Sequence, residues 1–98
     1  GLGDVYKRQE PDLAIVGANG VGEDGWMTTP NPSVAEVKEA VLAAAQRSIF
    51  VGSHAKFGHH TFARFGHVRH LERVITGREL RASTARRLTD LGATIERV

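Results

Sequence analysis

The chain has 98 residues, of which 41% are apolar and 24% charged, with 13 Lys and Arg residues against 11 Asp and Glu. This is the size and composition of one ordinary globular domain, which excludes a fibrous repeat, extensive disorder and a second domain. The net charge of +2 is too small to indicate nucleic-acid binding, and the lack of cysteine excludes disulfides and thiolate metal ligands. No apolar run is long enough to cross a bilayer and no signal-peptide pattern is present, which predicts a cytoplasmic protein.

The first nine residues, GLGDVYKRQ, show neither a capped helix nor the alternation of a strand. They resemble a translated sequencing-adapter scar, and they do not begin with methionine. We therefore predict that residues 1–9 are a non-native extension. Residues 10–98 are then expected to be the C-terminal portion of a longer domain.

The first predicted element is a strand at Leu13–Val16, an uninterrupted apolar run that is typical of a strand buried on both faces. A loop rich in Gly, Thr, Pro and Asn is predicted for residues 17–32. A helix is predicted for residues 33–47, with Ser33 as its N-cap and Glu36 as the capping-box partner. The apolar stripe of this helix is expected at Val34, Val37, Val41 and Ala44.

Short apolar runs predict three further strands, at residues 49–51, 74–76 and 93–98. A second helix is predicted before the last strand, because Ala85, Leu88 and Leu91 recur at three-residue spacing. Gly92 follows them where a left-handed C-terminal cap belongs.

Strands that alternate with helices predict right-handed crossovers, and therefore an α/β fold with a mostly parallel sheet and flanking helices. Ligand loops of such folds lie at the carboxyl ends of the strands. Residues 17–31 and 52–58 both follow predicted strands. We therefore expect the functional site to involve these two segments.

All five histidines and three of the four phenylalanines lie in residues 51–70, which raises the hypotheses of a metal site, a nucleic-acid surface and an anion-binding loop. A metal site is disfavoured because glycines and aromatic residues separate the imidazoles and no HExxH motif is present. Base stacking is disfavoured because Phe62 and Phe65 are three apart, a spacing that more often buries aromatic rings against a sheet. The sequence predicts no metal, no cofactor and no direct DNA contact here.

Anion binding has a better physical basis. Lys56 follows a predicted strand by a few residues, so its ammonium can point into a cleft at the carboxyl edge of the sheet. Thr28 and Thr29 offer hydroxyl groups across that cleft, and the start of the first helix offers free backbone N–H groups and its dipole. These groups suit a phosphate or a sugar phosphate. On residue types alone, it is equally plausible that Thr28, Thr29 and Asn31 only shape a turn.

Several blocks occur in an order and spacing that resemble the sensor domain of DeoR-type bacterial transcriptional regulators: DLAIVGANGV, GWMTTPNPSVAEVKEAVLAAAQ, IFVGSHAKFGHHTFARF and LERVIT. The resemblance covers residues 12–76. It implies part of an α/β domain similar to ribose-5-phosphate isomerases and CoA transferases, which binds a phosphorylated sugar or related metabolite. It also implies a homo-oligomeric repressor that contacts DNA only through an N-terminal winged helix-turn-helix lying outside this chain, and no membrane partner.

Carried over to this chain, the resemblance implies an effector pocket at Asn19, Gly20, Thr28, Thr29, Lys38 and Lys56. The chain departs from the family pattern before Lys56, where Ser53 and Ala55 replace the common Asp and Ser. It departs again at Gly77, where the family commonly has Asp.

The alternative to a sensor is a fragment of a sugar-phosphate isomerase or of a CoA-transferase-like enzyme. Isomerases of this fold carry a Gly-Ala-Asp signature, and Asn19 stands where that carboxylate is expected. Because an amide cannot take a proton from a sugar carbon, the sequence favours binding over turnover.

Overall fold

The computed structural model describes residues 12–98, and the predicted extension at residues 1–9 lies outside that range. The strands are β1 (Leu13–Val16), β2 (Gly20–Val21), β3 (Trp26–Thr29), β4 (Arg47–Val51), β5 (Ala63–His67), β6 (Arg73–Thr76) and β7 (Ile95–Arg97). The helices are α1 (Pro32–Ala44) and α2 (Ala82–Asp90), and 3-10 turns are formed by His54–Lys56 and Val68–His70. Neither helix of this range is long and apolar enough to span a membrane.

The strands form two sheets. The larger has the order β1-β4-β6-β7 and is parallel throughout. The smaller is antiparallel, with the order β2-β3-β5. Helix α1 contacts β1, β3 and β5 and so joins the two sheets, while α2 lies against β7. This architecture confirms the predicted α/β fold with a mostly parallel sheet and flanking helices.

One face of the parallel sheet, called the inner face, carries the core. Its side chains from Val16, Phe50 and Val74 belong to one buried cluster with Met27 of β3 and Leu88 of α2. Phe50 is fully buried, and its ring meets that of Phe57 edge-on at 5.8 Å between centroids. The inner face therefore fixes the position of the turn that follows β4, which contains Lys56.

The prediction that β1 is buried on both faces is wrong. Ala14 and Val16 are buried on the inner face, but Leu13 and Ile15, on the opposite face, are 40% and 65% exposed. The apolar run itself does form a parallel strand with β4. The local sequence shows that both faces of β1 are apolar. Whether a face is buried depends on which other parts of the fold cover it.

The predicted loop at residues 17–32 is also corrected, because β2 and β3 lie within it. Strand β3 pairs with β5, another strand that the sequence did not indicate, and the ladder includes Trp26 with His67 and Thr28 with Arg64. Gly, Thr and Pro favour turns by local preference. A short strand made of such residues therefore gives no strand signal in the sequence when its partner strand lies far along the chain.

Helix α1 begins one residue earlier than predicted and ends at Ala44, not Arg47. Its N-cap is Asn31, whose Oδ1 accepts hydrogen bonds from the backbone N–H groups of Ser33 at 2.8 Å and Val34 at 3.3 Å. Pro32 explains the shift, since proline has no N–H to satisfy and its fixed φ suits the first helical position. Arg47 instead opens β4.

The predicted apolar stripe of α1 does not face the core. Ala35 is the buried residue of this helix, whereas Val37 is 61% and Val34 is 38% exposed. The helix is rotated so that Ala35, Lys38 and Leu42, which share one face at helical spacing, approach the sheets.

We expect Asn31→Ala to lower the free energy of unfolding by about 1 kcal/mol, the usual loss when a side-chain N-cap is removed. Ser33→Ala is the matched control and should change it by less than about 0.5 kcal/mol, because Asn31 rather than Ser33 makes the cap. Urea unfolding followed by circular dichroism measures both. A larger loss for Ser33→Ala would contradict the assignment.

The end of α2 agrees with the sequence. Gly92 has φ +105°, and its N–H donates to the carbonyl of Thr89, while the N–H of Ala93 donates to that of Leu88. This is the Schellman arrangement, which glycine favours because it adopts positive φ without steric cost. The predicted left-handed cap at Gly92 is confirmed.

Candidate functional site

The carboxyl ends of β1, β4 and β6 are neighbours in the parallel sheet. Polar side chains follow each of them: Asn19 after β1, Lys56 after β4 and Glu79 after β6. Because the carboxyl ends of parallel strands meet at one edge, the segments that the sequence selected lie at the same edge of the sheet.

Hydrogen bonds hold several predicted residues together. The hydroxyl of Thr28 donates to the carbonyl of Gly20 at 3.3 Å and accepts from the N–H of Thr61 at 3.0 Å. The N–H of Asn19 donates to the carbonyl of Thr28 at 3.0 Å, and the N–H of Gly58 donates to the carbonyl of Val21 at 2.8 Å. The β1–β2 connection, β3 and the segment after Lys56 thus form one connected unit.

The predicted residues differ in what their side chains can reach. Thr28 and Thr29 are almost fully buried, and the Thr28 hydroxyl already makes two internal hydrogen bonds. Asn19 and Lys56 are exposed, and Lys38 is half-buried. The side chains open to a ligand are therefore Asn19, Lys38 and Lys56, while Thr28 shapes the backbone beneath them.

Gly20 has no room for a side chain. A Cβ at this position would lie 2.5 Å from the carbonyl oxygen of His59 and 3.0 Å from Oγ1 of Thr28. A backbone oxygen cannot move aside as a flexible side chain can. Glycine at this position therefore allows the segment after Lys56 to pack directly on β2.

We expect Gly20→Ala to lower the free energy of unfolding by about 1–3 kcal/mol, the usual range for overpacking. Gly17→Ala is the matched control in the same connection, since a Cβ there would meet its nearest atom at 3.8 Å. It should change stability by less than about 0.5 kcal/mol. Urea unfolding of both variants checks this, and equal losses would contradict the close approach at Gly20.

Lys38 reaches the end of β1. Its Nζ donates to the carbonyl of Gly17 at 2.7 Å and lies 5.1 Å from the ring centroid of Phe65. Partial burial lowers the pKa of Lys38 below its ordinary 10.5, because desolvation disfavours the charged form. No carboxylate of residues 12–98 forms a salt bridge with it. Lys38 thus offers a partly buried amino group that no carboxylate of the described residues pairs with.

Lys56 ends the 3-10 turn His54–Lys56, whose N-cap is Ser53. The Ser53 hydroxyl accepts from the N–H of Ala55 at 3.1 Å. The Lys56 side chain is exposed and makes no hydrogen bond or ion pair to another residue of the described range. Its ammonium is thus available for a ligand at the edge where β1 and β4 end.

The expectation of free backbone N–H groups at the start of α1 is wrong. Pro32 has no N–H, Asn31 Oδ1 accepts from Ser33 and Val34, and the Asn31 carbonyl accepts from Ala35 at 3.0 Å. The donors of the first turn are therefore all satisfied within the chain. The helix can contribute its dipole to anion binding but not these hydrogen bonds.

His54 and Glu79 are polar residues at this edge that sequence reasoning missed. The Nδ1 atom of His54 lies 3.8 Å from Oε2 of Glu79, so the turn after β4 approaches the segment after β6. The Glu79 carboxylate also lies over Gly77, where a Cβ would be 2.5 Å from Oε1. A glutamate three residues beyond the predicted strand 74–76 was the available signal, and its carboxylate lies beside Gly77, the position where the family commonly has Asp.

The histidines and phenylalanines of residues 51–70 differ in burial and in the contacts that their side chains make. His67 is buried, its Nε2 lies 2.7 Å from the Asp24 carbonyl, and its Nδ1 accepts from the N–H of Arg69, which makes it structural. Within residues 12–98, no three His, Asp or Glu side chains are grouped to hold a metal. Phe65 is buried as predicted, and Phe57 is buried too, but Phe62 is 81% exposed, so the packing prediction is wrong for that ring.

Two cavities lie away from the predicted site residues. A cavity of about 550 Å³ lies between α2 and β7, where Arg86 and Arg97 contribute to its walls. Another, of about 510 Å³, is bordered by Glu23, His60 and Arg87. Neither is lined by a predicted site residue.

Comparison with known proteins agrees with this architecture. The family model described as the DeoR C terminal sensor domain matches residues 3–78. The HTH-type transcriptional regulator GlpR of Haloferax volcanii is 27% identical over 89 residues, which cover 91% of this chain and 35% of that protein. The chain thus spans about a third of this relative, which comes from an archaeon, whereas the sequence resembles bacterial regulators. The match over most of the chain confirms the resemblance: the chain belongs to the DeoR C-terminal sensor domain family of transcriptional regulators.

Proposed function

We propose that the chain senses a phosphorylated sugar or a related phosphorylated metabolite at the carboxyl edge of its parallel sheet. The observation that carries this proposal is Lys38, a half-buried ammonium that reaches the end of β1 and has no carboxylate partner within residues 12–98. The Lys38 ammonium has three N–H donors, and one of them is used by the Gly17 carbonyl. A phosphate group can accept from the others in charge-assisted hydrogen bonds.

The chemistry of the neighbouring side chains supports a sugar phosphate rather than a bare anion. Lys56 offers a second ammonium for the phosphate oxygens. The Asn19 amide and the Glu79 carboxylate can each hydrogen-bond to hydroxyl groups, and the carboxylate only accepts such bonds. This edge of the sheet thus combines positive charge for phosphate with polar groups for a sugar.

Regulation follows if the ligand prefers one arrangement of the sensor. A ligand shifts a conformational equilibrium by no more than the difference in its affinity for the two states. We propose that the regulator containing this chain is a cytoplasmic homo-oligomeric repressor, and that it contacts DNA only through an N-terminal winged helix-turn-helix. The chain itself is proposed to need no cofactor and no membrane.

The test is a calorimetric titration of this chain with ribose 5-phosphate, ribose and inorganic phosphate, beside a panel of other phosphorylated sugars. A sugar phosphate is expected to bind more tightly than either the free sugar or phosphate, because each of these lacks one set of contacts. If no phosphorylated compound of the panel binds, or if ribose binds as well as its phosphate, the proposal is wrong.

An isomerase-like enzyme remains the second candidate, because Glu79 places a carboxylate at the same edge. Sugar isomerisation needs a base beside the carbonyl carbon. The two functions are separated by NMR in deuterium oxide, which follows loss of the proton at C2 of ribose 5-phosphate, the carbon next to the carbonyl. We expect no exchange above the rate without protein. Exchange that disappears in Glu79→Gln would establish catalysis.

A further inference from the structure

Strand β7 is the last strand of the parallel sheet, at the end opposite β1, and in the described range it pairs with β6 alone. On either side of β7, the carbonyl of Thr94 and the N–H of Val98 both bond to β6. Because peptide groups alternate sides along a strand, those of Ile95 and Arg97 point away from β6. The open edge of β7 thus offers N–H and C=O groups of these two residues to a further strand.

Helix α2 lies beside this edge without covering it. The cavity of about 550 Å³ between the helix and β7 is called the α2–β7 groove. Ala82, Ala85 and Thr89 line it from the helix, at spacings of three and four residues that place them on one stripe. The side chains of the two alanines are short, so the space beside the edge stays open. Its volume lies within the range of about 300–1,000 Å³ that ligand sites usually have.

The α2–β7 groove is positively charged. Arg86 and Arg97 line it, and no Asp or Glu side chain of the described range does so. Neither guanidinium forms a salt bridge within that range. One N–H of Arg97 donates to the Leu80 carbonyl at 3.0 Å, which orients the guanidinium and leaves its other donors for a ligand. The neighbouring carboxylate, Glu96, accepts from Arg73 at 2.9 Å instead.

The strand edge and the guanidinium groups recognise different parts of a ligand. N–H and C=O groups occur together along the edge, and a peptide backbone pairs with both kinds. A phosphate group only accepts hydrogen bonds from such N–H groups, so a nucleic acid backbone would leave the carbonyls of Ile95 and Arg97 unpaired. Guanidinium groups match carboxylates in planar, two-point pairs. The combination therefore fits an extended peptide with an acidic side chain.

Strand geometry determines where that acidic side chain belongs. Ile95 lies opposite Val74 of the inner face and packs against the core. Arg97, two residues further on, shares that face. In an added antiparallel strand, directly opposed residues that exchange hydrogen bonds have Cα atoms about 5.5 Å apart and side chains on one face. A Glu or Asp opposite Arg97 therefore lies in the groove that Arg86 also lines, and an aliphatic residue two positions away lies opposite Ile95.

We propose that the α2–β7 groove binds an acidic, extended segment of a partner protein as an additional strand of the sheet. Backbone pairing with Ile95 and Arg97 supplies affinity, and the two arginines select the acidic side chain. A second copy of β7 fits poorly, because its side chains on the same face are again Ile95 and Arg97, which would bring guanidinium groups together. The groove follows residue 78, where the match to the family model ends, and the inference does not depend on the proposed ligand.

Peptide titration tests the proposal without any change to the protein. The probe is a capped seven-residue peptide in which threonine alternates with valine and glutamate replaces the central valine. Fluorescence anisotropy of a labelled peptide measures its binding to this chain. Glutamine at the centre is expected to weaken binding roughly threefold to tenfold, the usual effect of exposed ion pairs to two guanidinium groups. Lysine at the centre should weaken it further.

Backbone methylation of the peptide separates strand addition from attraction between charges. Methylating the N–H of the glutamate should weaken binding at least roughly tenfold, because that N–H pairs with the Arg97 carbonyl and the methyl group prevents the approach. Methylating the N–H of the next threonine is the matched control. That N–H points away from β7, so this change should have a much smaller effect.

Arg86→Met and Arg87→Met are matched variants of the protein, because both arginines lie on α2 and only Arg86 lines the groove. Arg86→Met is expected to weaken binding of the glutamate peptide by roughly threefold and to leave that of the glutamine peptide unchanged. Arg87→Met should affect neither. Lys38→Met should also affect neither, which separates this groove from the proposed ligand site. Circular dichroism confirms that each variant is folded.

Several results would overturn the proposal. No saturable binding of the glutamate peptide, or equal binding of the lysine peptide, would show that the groove does not select an acidic strand. Equal effects of the two methylations would mean attraction between charges alone. A dimer of this chain that the peptide dissociates would assign the groove to a second copy. A short DNA duplex that binds more tightly and displaces the peptide would assign it to nucleic acid.

Discussion

Replacing Phe50 by alanine is expected to lower the free energy of unfolding by about 3–5 kcal/mol, enough to remove most of the stability of a small domain. Phe50 is fully buried on the inner face, and its ring packs edge-on against Phe57. Alanine would leave a cavity beneath the turn that carries Lys56. Urea unfolding at 25 °C, followed by circular dichroism, measures the loss.

Phe62→Ala is the matched control for this prediction. The same number of atoms is removed, but the Phe62 ring is 81% exposed, so the change should stay below about 0.5 kcal/mol. Similar losses for Phe50→Ala and Phe62→Ala would mean that the core is not organised around the inner face. If Phe50→Ala does not fold at all, Phe50→Leu keeps most of the volume and should show a smaller, measurable loss of the same sign.

Replacing Lys38 by methionine is expected to weaken binding of a phosphorylated sugar by roughly 10-fold to 150-fold, the loss of one charge-assisted hydrogen bond of about 1.5–3 kcal/mol. Methionine keeps most of the length of the side chain and its apolar packing beside Phe65 while removing the charge. Binding of the unphosphorylated sugar should not change. Calorimetric titration of ribose 5-phosphate and ribose into both proteins measures the difference.

Arg86→Met is the control for loss of a positive charge in general. Arg86 lies in the cavity between α2 and β7, away from the predicted residues, and its removal should change the dissociation constant less than about twofold. Lys56→Ala should weaken binding on the same scale as Lys38→Met. If the two lysines share one phosphate, the double variant should depart from additivity by at least about 0.5 kcal/mol. Weakening by Arg86→Met as strong as by Lys38→Met would refute a specific site.

Elements with a strong local signal were predictable. The apolar runs that became β1, β4 and β6 and the Gly92 cap at the end of α2 are recognisable within a few residues. Strands β2, β3 and β5 were not, because Gly, Thr, His and Arg dominate them and each is stabilised by a partner distant in sequence. The cap at Asn31 was missed although the signal, a proline one residue later, was present.

In the candidate site too, some features were predictable from the sequence and others depend on tertiary contacts. The sequence predicted Asn19, Lys38 and Lys56 as site residues, all three through family likeness and Lys56 also through its place after a strand. It did not reveal that the Thr28 hydroxyl is used internally or that Lys38 turns inward to Gly17. Glu79 was missed because its carboxylate reaches the edge by lying over Gly77, a position that depends on a turn and not on a motif.

By itself, the sequence determined the alternation of strand and helix, the parallel arrangement, and membership of a regulator family, since these depend on local periodicity and on ordered blocks of residues. Only the tertiary structure decided which face of α1 is buried, which face of β1 is bare, and which hydroxyl and ammonium groups are free to meet a ligand. The physical reason is that a residue's own preferences set its backbone conformation, whereas burial and hydrogen-bond partners are set by groups that the chain brings together from far apart.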